Sequence, residues 1–266
     1  MLTQTKGELK ELYKFRELLY MITYQDIKVR YKQSIMGFGW AILMPILIVM
    51  AGIVVRYAYA VAAHAPLQSA DTLSVAVKSL PWTFLVSSIR FGCVSLIGNN
   101  KDVVTKIYFP REIFPLASVL SSLFDFAVAS VALVIFLVIM HVGYSVSLLW
   151  VPLLIVLMVM QASGICMVVS AASLFFRDVK YIVEVFLTFG IFFTPVFYDV
   201  NMLGAKGHWL LLNPLAPLLE SFSDCIVRQQ PPNLPWLAYS AAFGLISVIG
   251  GFVFFKNLEP AFAESI

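Results

Sequence analysis

Ionisable residues are rare inside the strongly apolar stretches of the sequence, and three of them are candidates for chemistry. They are Arg90, Asp125 and Glu184. A charge at the centre of a membrane helix costs about 2.5 to 3.5 kcal/mol on insertion scales, so it usually faces a partner, the bundle interior or water. The depths of Arg90 and Asp125 in neighbouring helices predict an ion pair between them. Three such groups without a His/Glu chain make a poor proton relay and favour a pump that is powered elsewhere.

Other chemistry has no recognisable motif in the sequence. No Gly-Lys dipeptide occurs, so the nucleotide-binding pattern G-x-x-x-x-G-K-[ST] cannot be formed. Cys93, Cys166 and Cys225 lack the spacing of metal ligands and are expected to be small packing residues. The sequence therefore predicts no enzyme activity, no metal site and no cofactor in this chain.

Membrane-spanning helices are expected to position the three charges. The chain has 266 residues, of which 61% are hydrophobic and 12% are charged, against about 25% charged in soluble domains. A bilayer core about 30 Å thick needs roughly 20 apolar residues per helix. The predicted fold is an all-α integral membrane domain over 38–256 with six transmembrane helices. The expected crossings are about 38–60, 80–98, 113–140, 148–175, 181–200 and 234–255.

The distribution of Lys and Arg predicts the orientation. Short loops rich in these residues stay cytoplasmic, and most of the chain's 18 Lys and Arg residues lie before the first crossing, in the second and fourth loops and after the last crossing. Both termini, 1–37 and the tail 257–266, are therefore expected in the cytoplasm. The net charge of +3 reflects this bias and gives no argument for nucleic acid.

Two segments outside the crossings are also predicted to be helical. Residues 8–34 place apolar side chains at spacings of three and four, which is typical of an amphipathic interface helix. This helix either anchors on anionic lipid or also serves as a platform for a partner. An outer loop is expected at 61–79. Residues 201–230 hold two apolar runs that are too short to span the membrane, which predicts two re-entrant periplasmic gate helices. The expected gate residues are Trp209, Asn213, Pro214 and Pro217.

Aromatic residues crowd the end of the fifth expected crossing, in IFFTPVFY (191–198). One interpretation is an aromatic belt at the outer interface with a proline kink. The other is a conduit whose rings stack on sugars, although Gly190 stands where another ring would have extended it. The translocation residues in this second interpretation are Tyr57, Tyr59, Phe84, Arg90, Phe192, Phe193 and Tyr198.

Short charged segments join the crossings on the expected cytoplasmic side. In KIYFPREIF (106–114), Pro110 suits the first turn of a helix and Glu112 its positive end, so this segment is predicted to start the third crossing. Phe109, beside these charges, suits a knob that enters a partner's groove. In the fourth loop, Asp178 suits the N-cap of the fifth crossing.

Four segments together carry a family resemblance. They are YQDIKVRYKQSIMGFGWAILMPI (24–46), KIYFPREIFPLASVLSSLFD (106–125), FFRDVKYIVEVFLTFGIFFTPVFY (175–198) and NPLAPLLESF (213–222). They resemble the membrane subunit of ABC-2-type polysaccharide exporters, and most closely the O-antigen and teichoic-acid exporter permeases. The resemblance runs nearly end to end and is weakest at 61–79.

The resemblance implies a homodimeric permease of the bacterial inner membrane that binds two copies of a separate ATP-binding subunit, which holds ATP and Mg. ATP hydrolysis would drive export of undecaprenyl-diphosphate-linked polysaccharide, most closely O-antigen. The implied ATPase-coupling residues are Lys106, Tyr108, Phe109, Pro110, Arg111 and Glu112. Arg177 and Asp178 belong to the other expected cytoplasmic loop, where capping and topology alone would explain both.

Two other hypotheses remain open at the level of sequence. An ABC-2 exporter of capsule, teichoic acid, a drug or a small lipid would have similar topology. An ion-coupled carrier would use Arg90, Asp125 and Glu184, and its transport would depend on pH.

Overall fold

The computed structural model describes residues 14–32, 36–37, 39–63, 69–97 and 109–262. These residues form helices and connecting turns and contain no strand, which confirms the all-α fold for this part of the chain. The α-helices are α1 Arg16–Tyr31, α2 Gly39–Ala63, α3 Ser69–Val94, α4 Ile113–Ile139, α5 Val151–Phe175, α6 Val179–Phe193, α7 Ala216–Ile226 and α8 Leu234–Leu258. Short 3₁₀ segments occur at Val146–Trp150, Val200–Leu212 and Glu259–Ala261.

Five segments of the described chain are long and apolar enough to cross a membrane. They are Gly39–Val61, Thr72–Val94, Ile113–Ile139, Val146–Phe175 and Leu234–Ala261. The remaining expected crossing, 181–200, corresponds to α6, which has only 15 residues and so measures roughly 22 Å at 1.5 Å per residue. The stretch expected as an outer loop, 61–79, is helical on both sides of 64–68. Helix α3 therefore begins well before the expected start at 80.

Helix α5 forms the centre of the bundle. Pro152 stands in its first turn, where the missing N–H costs no hydrogen bond, and the apolar run that follows is largely buried. Its backbone lies very close to that of α8, since a Cβ atom on Gly251 would be 2.4 Å from the Gly164 carbonyl oxygen. Small residues at such crossings let membrane helices pack backbone against backbone. Helix α8 begins after Asn233, whose side chain accepts a hydrogen bond from the Trp236 N–H.

Apolar side chains gather α1, the start of α4 and the ends of α5 and α8 into one cluster, which defines the α1 end of the bundle. Its buried members are Ile22, Leu96, Phe109, Ile113, Phe114, Ala117, Met167, Ala171, Leu174, Phe255 and Phe262. The opposite end contains the turns after α4 and α7, which meet where the Ser145 hydroxyl lies 3.3 Å from the Gln229 carbonyl oxygen.

Helix α1 lies alongside the first half of α4. Ile22 packs in the same cluster as Ile113, whereas Arg30, about two turns later, contacts Ser121 and Asp125. Because the contacts advance in the same direction on both helices, α1 follows α4 instead of crossing it at one point. The helix expected over 8–34 is described here only from 14 to 32.

Candidate functional site

Six charged side chains form a network at the opposite end of the bundle, which we call the Asp199 cluster. Its members are Arg56, Lys78, Asp199, Glu220, Asp224 and Arg228. Asp199 immediately precedes the 3₁₀ segment Val200–Leu212. Its Oδ2 atom lies 2.8 Å from Arg56 Nη2 of α2. Its Oδ1 atom accepts hydrogen bonds from Lys78 of α3 at 2.5 Å and from the Ser74 hydroxyl at 2.7 Å.

Helix α7 joins the cluster through two carboxylates one turn apart. Glu220 Oε1 lies 3.1 Å from Lys78 Nζ and also accepts the Val200 N–H at 3.1 Å. Arg228, just beyond α7, contacts Glu220 at 3.3 Å and Asp224 at 2.6 Å. The same charges therefore hold α7 and the start of the 3₁₀ segment.

The cluster contains three basic and three acidic groups, so its charges balance. Lys78 is fully buried and Arg56 is 2% exposed, so these cations depend on protein acceptors instead of water. They also donate to the backbone carbonyls of Tyr198 at 2.8 Å and Phe197 at 3.0 Å. Burial alone would raise the pKa of Asp199, but Lys78 and Arg56 outweigh it and hold that pKa well below its usual value. The cluster thus fixes the residues after α6 in an ionised network.

Sequence reasoning missed this cluster, although part of the signal was present. Arg56 lies inside an expected crossing, 38–60, just as Arg90 lies inside the expected crossing 80–98. Lys78 fell in an expected loop, 61–79, where a charge is ordinary. Because α3 begins at Ser69, Lys78 is instead a helical residue in the bundle.

A second group of charges lines a cavity of about 250 Å³ between α1, α2, α3 and α4, which we call the arginine cavity. Its charged lining residues include Arg30, Arg90 and Asp125, and Trp40 and Phe91 contribute aromatic rings. Two of the three charges selected from sequence therefore meet at one cavity. Arg30 was not selected, because it lies in the polar N-terminal segment.

Arg30 is held in place on several sides. It forms an ion pair with one carboxylate oxygen of Asp125, and its Nη2 atom donates to the Ser121 hydroxyl at 3.1 Å. Its guanidinium carbon lies 3.9 Å from the centroid of the Phe91 ring. The Tyr31 hydroxyl donates to the other oxygen of Asp125. These contacts orient the Arg30 guanidinium group at the cavity wall.

Arg90 pairs with Glu184 of α6. Its Nε and Nη2 atoms donate to the two carboxylate oxygens at 2.9 and 2.6 Å, and both side chains are 49% exposed. The predicted pair between Arg90 and Asp125 is wrong in this structure. Asp125 is bound instead by Arg30 of α1, a helix that lies outside the expected crossings.

The aromatic residues expected along a conduit occupy two environments. Tyr57, Phe192 and Phe193 are exposed on α2 and α6. The hydroxyl of Tyr59 donates to the Met202 carbonyl at 3.2 Å, and that of Tyr198 to the Phe192 carbonyl at 2.7 Å. Phe84, in contrast, is buried against the core and lines the arginine cavity.

Gly190 lies where α6 approaches α3. A Cβ atom at this position would be 3.2 Å from the edge of the Trp82 ring, which is itself buried. The absence of a larger side chain at 190 therefore lets the two helices approach each other.

The expected gate residues connect the 3₁₀ segment and α7 to their neighbours. Asn213 donates to the Thr194 hydroxyl at 3.0 Å and accepts the Leu215 N–H at 3.1 Å. The Pro214 carbonyl accepts the Ser240 hydroxyl of α8 at 2.8 Å. Pro217 stands in the first turn of α7, and Trp209 is exposed.

The segment before α4 is docked on the chain itself, as far as it is described; Lys106 and Tyr108 lie outside the described residues. Phe109 is buried, with its ring centroid 5.5 Å from that of Phe114. Arg111 donates to the Glu259 carbonyl at 3.1 Å. Glu112 is buried with Lys256 Nζ 3.0 Å from its Oε2 atom, and burial raises the pKa of this carboxyl.

The helix starts differ in detail from those expected. Helix α4 begins at Ile113 after Glu112 in the N-cap position, so Pro110 precedes the helix. Asp178 occupies the N-cap position of α6, but its side chain makes no capping hydrogen bond. Asp178 and Arg177 are both exposed at the α1 end.

The described residues contain no group of three or more His, Cys, Asp and Glu side chains that could hold a metal ion. The three cysteines are buried free thiols. Cys166 donates to the Ser88 carbonyl at 3.1 Å, which is a helix-packing contact between α5 and α3.

Comparison with known proteins gives matches over most of the chain. A family model described as ABC-2 type transporter matches residues 17–227. Two proteins of Klebsiella pneumoniae, both named O-antigen export system permease protein RfbA, are 28% and 29% identical over 250 residues, covering 93% of this chain and 94% of each relative. The protein of the same name from Myxococcus xanthus is 27% identical over 264 residues, covering 97% of this chain and 98% of the relative.

Proposed function

The chain belongs to the ABC-2 type transporter family, and we propose that it is the permease subunit of an ATP-driven exporter of undecaprenyl-diphosphate-linked polysaccharide, foremost O-antigen. The observation that carries this proposal is the near full-length similarity to three proteins named O-antigen export permeases. The geometry adds support. The Arg90–Glu184 pair is half exposed, and because lipid solvates charge poorly, such a pair suits a surface that faces a water-filled path.

The translocation path is proposed to lie between two copies of the chain. Helix α6 has no buried residue, and it exposes aromatic rings beside the Arg90–Glu184 pair. A face of this composition suits a wall shared by a second copy and a water-filled path better than contact with lipid alone. The rings proposed to stack on sugars there are Tyr57, Tyr59, Phe192, Phe193 and Tyr198.

The proposed topology has six crossings in the bacterial inner membrane, with α6 as the fifth. The α1 end faces the cytoplasm and carries both termini. The segment Val200–Leu212 and α7 form a re-entrant periplasmic gate with Trp209, Asn213, Pro214 and Pro217 at its joints. The pairing within the Asp199 cluster supports this placement, because it compensates the charges of a segment that enters the membrane.

A separate ATP-binding subunit, which binds ATP and Mg, is proposed to dock at the α1 end. Phe109 and Glu112 are buried, so they would transmit force by joining α1, α4 and α8. Direct contacts would come from Arg111, Arg177, Asp178 and the exposed Tyr20–Tyr24 face of α1, whose rings stack with centroids 6.5 Å apart. Lys106, Tyr108 and Pro110 belong to the same proposed joint.

Deletion of the gene tests this function. We expect loss of surface O-antigen and accumulation of lipid-linked glycan inside the cell, with recovery on complementation. A strain whose ATP-binding subunit is inactivated is the matched control and should show the same defect. Normal surface O-antigen with loss of capsule, teichoic acid or drug resistance would assign another substrate, and export without the ATP-binding subunit would contradict the proposal.

A further inference from the structure

Two guanidinium groups from different helices line the arginine cavity: Arg30 comes from α1 and Arg90 from α3. Guanidinium groups bind phosphate oxygens in pairs through their planar fork of N–H donors. Thr83 and Ser87 line the same cavity. At about 250 Å³, the cavity is slightly smaller than typical ligand sites, which hold about 300 to 1,000 Å³. It has room for a headgroup but not for a glycan chain.

The two arginines differ in how firmly they are held. The side chains of Arg30 and Asp125 are both 18% exposed, and Asp125 is also bound by Tyr31. Arg90 and Glu184 are 49% exposed, so water in the proposed translocation path can replace either partner. An anion entering the cavity would therefore compete for Arg90 more readily than for Arg30.

The cavity also offers an environment for the start of a lipid chain. Arg90 and Asp125 lie within the membrane-spanning segments Thr72–Val94 and Ile113–Ile139. Met44, Pro45 and Leu80 contribute apolar surface to the same lining. Phosphate groups with a hydrocarbon chain attached match this combination better than a free sugar or an inorganic anion.

We propose that the arginine cavity binds the diphosphate headgroup of the lipid-linked substrate. Arg30 is the fixed cation, and Arg90 turns from Glu184 to a phosphate group. Because Arg90 belongs to α3 and Glu184 to α6, substrate binding releases a link between these helices. This inference rests on the proposed function, which supplies the lipid diphosphate.

Titration of the purified full-length chain with undecaprenyl diphosphate in neutral-lipid nanodiscs tests the proposal. The emission of Trp40, which lines the cavity, reports binding, and Trp40→Phe identifies its contribution. We expect Arg30→Gln and Arg90→Gln each to raise the Kd at least about tenfold, the loss of one charge-assisted contact. The matched control Lys180→Gln removes an exposed positive charge outside the cavity and should leave the Kd unchanged.

Glu184→Gln gives the sharpest outcome because its expected sign is opposite. Removing the competing carboxylate should lower the Kd, and Arg90→Lys, which keeps the charge without the fork, should fall between wild type and Arg90→Gln. The proposal is overturned if both arginine variants bind as wild type does, if Lys180→Gln is equally defective, or if Glu184→Gln weakens binding. Unfolding midpoints identify misfolded variants; if Arg30→Gln is one, Arg90→Gln and Glu184→Gln decide.

Competing ligands identify the source of the phosphate. Inorganic diphosphate should compete weakly, and undecaprenol should not compete. If phosphatidylglycerol nanodiscs abolish the response to undecaprenyl diphosphate, the cavity binds ordinary lipid headgroups and the substrate assignment is overturned. Unchanged binding in the variants together with loss of O-antigen on gene deletion would reject this site alone. Normal O-antigen after deletion would reject the proposed function even if the cavity binds the probe.

Discussion

The Asp199 cluster and the arginine cavity both place guanidinium and carboxylate groups in a membrane protein, but with opposite exposure. Lys78 and Arg56 are almost completely buried, and Asp199 contacts three cations. Arg90 and Glu184 are half exposed and form one bidentate pair. Breaking a buried pair leaves a charge without water or a partner, whereas water readily replaces a partner in an exposed pair. The Asp199 cluster is therefore a stable network, whereas the Arg90–Glu184 pair at the arginine cavity can exchange partners.

The two kinds of charge pairing lie near opposite ends of α6. The residues that follow its C-terminal end are fixed to α2, α3 and α7 by the Asp199 cluster. Nearer its N-terminal end, Glu184 provides an exchangeable link to α3. A helix fixed at one end and releasable near the other can tilt without loss of the bundle. The comparison thus predicts that substitutions at the fixed end change stability and those at the releasable end change function.

The largest expected effect comes from Asp199→Asn. The substitution removes the charge that Arg56 and Lys78 share, and breaking a buried ion pair costs about 3 to 5 kcal/mol. Denaturant unfolding of the purified chain in detergent measures the loss. Asp178→Asn, an exposed carboxylate at the α1 end, is the matched control and should change little. Equal stability of wild type and Asp199→Asn would remove the distinction between the two regions.

Acid should also weaken the Asp199 cluster, and the stability lost should be no larger than the loss caused by Asp199→Asn. Because the folded-state pKa of Asp199 is lowered, its ionisation stabilises the fold above the ordinary carboxyl pKa of about 3.9. This contribution is lost as the pH falls through the lower folded-state value. Wild type should therefore lose more stability than Asp199→Asn does as the pH falls below about 4. Glu112 and Asp224, whose pKa values burial raises, contribute with the opposite sign in both proteins. Parallel pH profiles would show that Asp199 is not the group responsible.

Hydropathy predicted the apolar helices because their length and composition depend only on local sequence. Helices α4 and α8 begin at Ile113 and Leu234, where the apolar stretches begin. The start of α3 was missed because Lys78 and the polar residues before it lower the local hydropathy. In the structure these residues are helical, and carboxylates distant in sequence compensate the charge of Lys78.

Pairing between charges could not be read from depth alone. Asp125 was assigned to Arg90 on the assumption that both partners come from the crossings. Helix α1 instead brings Arg30 alongside α4, a tertiary arrangement that leaves no local signal. For Phe109, aromatic character beside charges suggested a partner's groove, but the ring is buried in the α1-end cluster. A ring surrounded by charged residues in sequence is thus not necessarily exposed.

Gly190→Leu tests whether packing also holds α6 against α3. A side chain at 190 would meet the Trp82 ring, since even a Cβ atom would lie 3.2 Å from it. Overpacking of this kind typically costs about 1 to 3 kcal/mol, which the same unfolding assay would detect. Gly250→Leu is the control, because a Cβ built at that position has no described atom within 4 Å apart from its chain neighbours and the adjacent backbone of its own helix. Equal effects of the two variants would mean that the contact with Trp82 does not fix α6.

Glu184→Gln should have the smallest effect on stability and a clear effect on function. Exposed ion pairs contribute about 0 to 1 kcal/mol, and the amide can still accept a hydrogen bond from Arg90. If α6 is released by exchange at this pair, the variant should export O-antigen at a changed rate while its unfolding midpoint stays close to that of wild type. Surface O-antigen and unfolding are measured on the same variant, with Glu17→Gln, an exposed carboxylate on α1, as the matched control for stability. A loss of several kcal/mol would place Arg90 and Glu184 with the Asp199 cluster as a structural pair, and unchanged export with unchanged stability would show that α6 does not depend on this link.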